Sequence, residues 1–160
     1  MANDITISDQ SAFSALASEL LRNVDAALPK LRSLAAADAA QPLAPGKWSP
    51  KQVIGHLVDS ATNNHQRFVR AQPGPALVFP AYAQDEWVKS QHYDDRPWDD
   101  LTSFWHAYNH HLAHVIAQIP EDRRQVLCTI GANAPVTLGF LAYDYVVHLR
   151  HHLAQVRALP

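Results

Sequence analysis

KWSPKQVIGHLVDSATNNHQRFVRA, residues 47–71, is the stretch from which the fold can be read outward. Ser49 is a strong helix N-cap, because its side-chain oxygen can accept from a backbone N–H that has no partner inside the helix. Pro50 follows at the first helical position, where its missing N–H is not needed. From there Val53, Ile54, Leu57, Ala61 and Phe68 recur at helical spacing, so the spacing predicts a helix to about Ala71, stopped by QPGP at 72–75. Its apolar stripe needs other helices to cover it. The opposite side is polar: His56, Asp59 and Asn63 lie roughly 130° to 170° from the apolar centre. That direction suits solvent, and it suits equally the wall of a polar cleft open to water. Periodicity does not choose between them. His65 falls within the apolar stripe and is expected to be a buried structural histidine.

Three further segments carry the same period. The first runs from about Asp9 to Leu34 through Phe13, Leu16, Leu20, Leu21, Val24, Leu28 and Leu31, with Pro29 predicting a kink or a break. AAADAAQPLAPGK, residues 35–47, then reads as a loop. A third helix is expected from about Pro97 to Ile119, ahead of Pro120. The fourth starts near Thr137, a plausible N-cap, and runs almost to the end of the sequence. Residues 72–96 are rich in Pro, Asp and aromatics, and are too long for a tight bundle connection. They form either a crossover or a lid, with Phe79, Tyr82 and Trp87 as candidates to cover a site. Between helices three and four, Val126 to Ile130 suits a brief extended segment. Four long helices in one domain, residues 1–160, predict an all-α four-helix bundle with a long crossover connection.

Composition narrows the function. The chain has 160 residues, 48% hydrophobic and 18% charged, with a net charge of -2, which suits a soluble globular protein with a core of its own. No basic run stands out, and that argues against nucleic acid as a partner, since such affinity comes largely from Lys and Arg on phosphates. Cys128 is the single cysteine, so no intrachain disulfide can form. Cys128 carries no sign of activation as a nucleophile. MANDITISDQ at the start has no basic region followed by an apolar stretch, and no apolar run approaches the roughly 20 residues of a membrane span. A cytoplasmic protein is expected, with neither membrane nor nucleic acid among its partners.

Ten histidines remain to be sorted. In the third helix His106, His110 and His114 recur at four-residue steps, like a ligand array. Their directions lie roughly 140° to 180° from the apolar centre set by Leu101, Phe104, Trp105, Tyr108, Leu112, Val115, Ile116 and Ile119, so they face solvent or a partner subunit. His111 is nearer the core edge and stays undecided. In the fourth helix Leu138, Leu141, Tyr145, Val146, Leu149, Leu153 and Val156 set the core direction. His152 lies about 50° from it, His148 about 90° and His151 about 150°. His148 and His152 therefore project inward together, one turn apart, as one helix supplies two ligands to one metal. Two satisfied boundary histidines would give the same wheel, and a metal would need a third ligand from elsewhere.

Taken together, KWSPKQVIGHLVDSATNNHQRFVRA and YDYVVHLRHHLAQV (143–156) resemble the DinB-like superfamily, in particular its YfiT-like branch. The resemblance rests on the Trp-Ser-Pro helix start, one histidine on that helix, a Trp-containing crossover and H-x-x-x-H on the last helix. It implies a four-helix bundle that binds a divalent metal through His56, His148 and His152, the last marked by the LAQ that follows it. It also implies a metal-dependent hydrolase, or a thiol-S-transferase or isomerase acting on a small molecule with a low-molecular-weight thiol, and a homodimer. Three histidines leave coordination positions open for water or substrate, as in a catalytic site. Zinc is the first expectation for an all-imidazole site, with nickel, iron, manganese or cobalt as competitors. Asp59 and Asn63, one and two turns beyond His56, are the candidate catalytic or orienting residues, and Asp144 is another candidate carboxylate. The contrasting expectation is a non-catalytic metal-binding or helical interaction protein.

Overall fold

The computed structural model describes residues 12–157, and within them the chain is a four-helix bundle with a small three-stranded sheet. The bundle helices are α1 (Ala12–Ser33), α3 (Pro50–Arg70), α5 (Trp98–Ala117) and α6 (Leu138–Arg157). Each packs on two neighbours in the ring order α1, α5, α3, α6. The expected start of the first helix at Asp9 lies outside the described residues. Pro29 neither breaks nor splits α1, which continues to Ser33. The last turn is held by tertiary contacts: Leu31 is buried, and its carbonyl accepts from the indole N–H of Trp98 at 2.8 Å.

The start of α3 follows the sequence reading. The Ser49 side chain accepts from the Gln52 N–H at 3.2 Å, and the Ser49 N–H donates to Gln52 Oε1 at 2.9 Å, a reciprocal cap with Pro50 just inside. α6 is capped by Thr137, whose hydroxyl oxygen accepts from the Phe140 N–H at 3.1 Å. The core is built from the expected stripes, including fully buried Leu20, Ile54, Leu57, Phe68, Leu101, Trp105, Leu149 and Leu153. Burying each such side chain stabilises the fold by about 1.5–3 kcal/mol before chain entropy is set against it. Phe104 is an exception to the wheel of the third helix: it is 40% exposed and stacks on Tyr108.

The connections hold more structure than their composition announced. Residues 35–47 contain a one-turn helix, α2 (Ala36–Ala39). The crossover contains β1 (Ala76–Phe79), α4 (Gln84–Ser90) and a 3-10 turn at Tyr93–Asp95. β1 pairs in parallel with β2 (Leu127–Ile130), Ala76 opposite Leu127 and Phe79 opposite Ile130, and β2 pairs antiparallel with β3 (Val136–Thr137). The extended segment expected at Val126–Ile130 is thus the central strand, and it makes the fold a bundle with a strand-paired crossover. Cys128 is buried within it, and burial pushes its thiol pKa up, away from reactivity.

The crossover is tied down over α3 by its 3-10 turn. Asp94 accepts from the Ser49 hydroxyl at 3.1 Å and the Gln52 amide at 3.0 Å, while its carbonyl accepts from Lys51 Nζ at 2.9 Å. Tyr93 lies flat against Gly55, where a Cβ would overlap its ring. Glycine at 55 is therefore a packing requirement, and it lets the crossover close over the polar side of α3.

Candidate metal centre

The polar side of α3 is enclosed by the rest of the fold. His56, Asp59 and Asn63 are buried, His56 completely, although the wheel of α3 alone allowed them to be solvated surface. The wheel measures one helix against its own apolar residues. It does not register that α6 and the crossover cover the polar stripe as well.

His56 from α3 meets His148 and His152 from α6. Nε2 of His148 lies 3.1 Å from Nε2 of His56 and 3.1 Å from Nε2 of His152. The rings stand edge-on to one another with centroids 4.6–5.0 Å apart. One nitrogen of His148 cannot satisfy both neighbours, since it carries either a single hydrogen or a single lone pair. The outer nitrogens of two rings have partners, a Gln155 oxygen that only accepts and a Ser60 hydroxyl that can accept. Nδ1 of His152 lies 2.9 Å from Gln155 Oε1, and Nδ1 of His148 lies 3.4 Å from the Ser60 hydroxyl. With hydrogens on those outer nitrogens, the Nε2 lone pairs of both rings converge on the centre. Nδ1 of His56 is buried without a hydrogen-bond partner among the described residues.

The electrostatics agree with three neutral rings. Burial, with repulsion from His148 and His152, pushes the His56 pKa down to about 3. Burial and the neighbouring His152 and His151 lower that of His148 to about 4, and burial lowers that of His152. Three uncharged imidazoles whose Nε2 atoms converge form a donor set that fits a divalent cation. His151, expected to point outward, is exposed.

Asp59 and Asn63 make no hydrogen bond to the three histidines among the described residues. Asp59 Oδ1 instead accepts from the Tyr93 hydroxyl at 2.6 Å and the Gln91 amide at 2.5 Å, and Oδ2 is buried with no partner among the described residues. Burial raises the Asp59 pKa, and the two hydrogen bonds only partly oppose it. The Asn63 amide donates to the Asp59 carbonyl oxygen at 2.9 Å. Asp144 is exposed but lines a cleft of about 140 Å³ with His148, Ser60, Arg67 and Tyr82. Of the aromatic residues expected to cover the site, only Tyr82 borders it. Trp87 is 39% exposed and packs on Tyr82, and Phe79 lies beside Arg67.

The aromatic residue at the cluster is Trp48, whose ring centroid lies 4.9 Å from His56 and 6.4 Å from His152. With Leu43, Val53, Lys47, Asp85 and Gln155 it lines a pocket of about 480 Å³ that reaches His152. Trp48 was visible in the Trp-Ser-Pro motif, and Gln155 in the LAQ after His152. Nothing local to Tyr93 or Ser60 signalled their part. His65, expected to be buried, is half-buried and hydrogen-bonded to the Tyr108 hydroxyl at 2.7 Å, and His111 is exposed beside it.

The sequence matches the DinB superfamily over residues 19–156, and the chain belongs to that superfamily. Among relatives, it is 27% identical over 122 residues to a Geobacillus thermodenitrificans protein named "Putative metal-dependent hydrolase", covering 74% of this chain and 67% of that protein. It is 21% identical over 112 residues to "Putative metal-dependent hydrolase OB0413" of Oceanobacillus iheyensis, covering 70% of this chain and 64% of that protein. The match thus spans about two thirds of each relative's length. In structure it resembles YfiT from Bacillus subtilis, described as a probable metal-dependent hydrolase with an unusual four-helix bundle topology. The TM-score is 0.76 at 17% identity, over 98% of this chain and 89% of that one, a likeness of fold.

Proposed function

We propose that the chain is a small metalloenzyme in which His56, His148 and His152 hold a divalent cation, zinc first. The observation that carries this reading is the convergence of three Nε2 atoms, with Gln155 and Ser60 facing the outer nitrogens of two of the rings. When bound, such a cation lowers the pKa of a water or thiol and polarises an electrophile. The residues of the chain supply the surroundings. Trp48, Leu43 and Val53 form an apolar wall beside His152 that would hold a small-molecule substrate and keep water from it. Asp59, one turn beyond His56, is the group to hold a proton, its Oδ1 fixed by Tyr93 and Gln91 and its Oδ2 without a partner among the described residues. Asn63 braces the turn that carries Asp59.

The reaction proposed is hydrolysis of a small molecule, or transfer of a low-molecular-weight thiol to an electrophile. The names of the relatives favour hydrolysis. The same reading takes residues 1–160 as one domain working in the cytoplasm as a homodimer. Phe140, Tyr143 and Val147, exposed along one side of α6, offer an apolar surface for a second copy. No helix among the described residues is long and apolar enough to cross a membrane.

The test is metal content in protein purified without a histidine tag, followed by a screen of hydrolytic and thiol-transfer substrates on metal-free and reloaded protein. About one equivalent should be lost in His148→Ala and in His152→Ala and kept in His114→Ala. Unchanged metal content after both helix-α6 substitutions would overturn the ligand set. Equal silence of metal-free and reloaded protein across the screen would leave a non-catalytic binding protein.

A further inference from the structure

The histidine ladder of α5 faces outward as its wheel requires, yet it does not face solvent alone. His106 and His110, one turn apart, have ring centroids 4.4 Å from each other. From α1, across the helix pair, Asp25 brings its Oδ1 to 2.8 Å from His106 Nε2 and 2.7 Å from His110 Nε2. We propose that Asp25, His106 and His110 form a second divalent-metal site, bridging α1 and α5 on the outside of the bundle.

Three observations support the assignment. The donors come from two helices rather than from one flexible run, so the packing of α1 on α5 holds them in place. Both rings aim the same atom, Nε2, at the same carboxylate oxygen, and one potential ligand atom from each residue lies within 4.8 Å of the other two. The charge is also suitable. Hydrogen bonds from His110 and then His106 hold the Asp25 carboxyl below its ordinary pKa, so it is ionised near neutrality. An ionised carboxylate beside two imidazole nitrogens is complementary to a dication.

Without a cation, the rings donate Nε2–H to Asp25. To bind one, each ring turns an Nε2 lone pair to the ion and carries its hydrogen on Nδ1. Two nitrogens and one oxygen select borderline transition metals such as Zn²⁺, Ni²⁺ or Co²⁺ over Mg²⁺ or Ca²⁺, which favour all-oxygen sites. Asp25, His106 and His110 are 54%, 25% and 42% exposed at the side chain, so water can complete the coordination and the ion can exchange. The site differs from the three-histidine cluster in every ligand and in both helices. Its consequence is a metal-dependent clamp between α1 and α5.

The experiment is equilibrium dialysis against Zn²⁺ alone, with bound metal counted in wild type, His106→Ala/His110→Ala, His148→Ala/His152→Ala and the fourfold variant. Wild type is expected to hold about two equivalents, each double variant about one, and the fourfold variant none. Asp25→Asn keeps a hydrogen-bond acceptor but loses the charge, and should weaken the second site by about tenfold or more. Zn²⁺ should raise the unfolding midpoint of His148→Ala/His152→Ala by roughly 5 °C, and not that of the fourfold variant. The proposal is overturned if His106→Ala/His110→Ala, folded by circular dichroism, holds as much zinc as wild type. A wild type whose only equivalent vanishes in His106→Ala/His110→Ala would support this site and overturn the three-histidine one.

Discussion

His152 Nδ1 lies 2.9 Å from Gln155 Oε1, one turn further along α6. The amide is oriented by its other end, where Nε2 lies 3.3 Å from His151 Nε2. A carbonyl oxygen only accepts, so His152 carries its hydrogen on Nδ1 and turns the Nε2 lone pair toward His148. Gln155 thus sets the tautomer without touching the centre of the cluster. Gln155→Leu is expected to weaken Zn²⁺ binding at the three-histidine cluster by about 10–100-fold, with little change in folding stability, while Gln155→Glu largely preserves it. Competition with a chromogenic chelator reads the affinity. An unchanged affinity in Gln155→Leu would remove the orienting role.

The metal-free protein should lose stability as pH falls through the histidine range. His56 and His148 have folded pKa values of about 3 and about 4, against 6.5 for the unfolded chain. Below 6.5 the unfolded state takes up protons that the folded state refuses, so stability declines until the folded values are reached. Asp59 acts with the opposite sign. Its folded pKa is raised above 3.8, so its contribution is present at low pH and is lost as pH rises through the raised value. Urea midpoints of chelator-treated protein should therefore fall from about pH 7 to about pH 4. The slope should flatten in His148→Gln and steepen in Asp59→Asn. A flat wild-type profile would contradict the burial of these rings.

Tyr93 is held in place by two features at once, the missing side chain of Gly55 and the carboxylate of Asp59. Gly55→Ala forces the ring away and is expected to destabilise by about 1–3 kcal/mol despite the better helix propensity of alanine. Tyr93→Phe keeps the packing but removes a donor from a buried carboxylate, again at about 1–3 kcal/mol. Because the two changes break one arrangement, the double variant should cost less than the sum of the singles. Denaturant titration of the four proteins forms the cycle. Strict additivity would show that the contact and the hydrogen bond are independent.

What was legible in the sequence was what local chemistry determines. The Ser49–Pro50 start and the Thr137 cap are contiguous signals, and both are used as read. The choice of His148 and His152 over His151 needed only the helical period and the core residues of the same helix. The strand pair was harder to read: ALVF and LCTI are four-residue apolar runs, too short to reveal a period, and their partner lies about fifty residues away in sequence. Burial of His56 was hidden for a related reason, since the rings against it, Trp48 and the α6 histidines, become its neighbours only on folding. Asp25 is the plainest example. On α1 it is an ordinary surface acid, and only the packing of α1 on α5 brings it to His106 and His110.

Trp48 gives a spectroscopic handle on the three-histidine cluster that does not depend on knowing the substrate. Its ring is 4.9 Å from that of His56 and 6.4 Å from that of His152, whereas Trp98 and Trp105 are buried in the helical core and Trp87 packs on Tyr82. A cation held by those histidines would sit close to the Trp48 indole and change its emission. Adding Zn²⁺ to metal-free protein should therefore change tryptophan fluorescence in wild type and in His106→Ala/His110→Ala. The change should disappear in Trp48→Phe and in His148→Ala/His152→Ala. Trp48→Phe keeps an aromatic wall beside His56, so its metal content should stay at the wild-type level while the signal is lost. Persistence of the full fluorescence change in Trp48→Phe would place the responding metal elsewhere in the molecule.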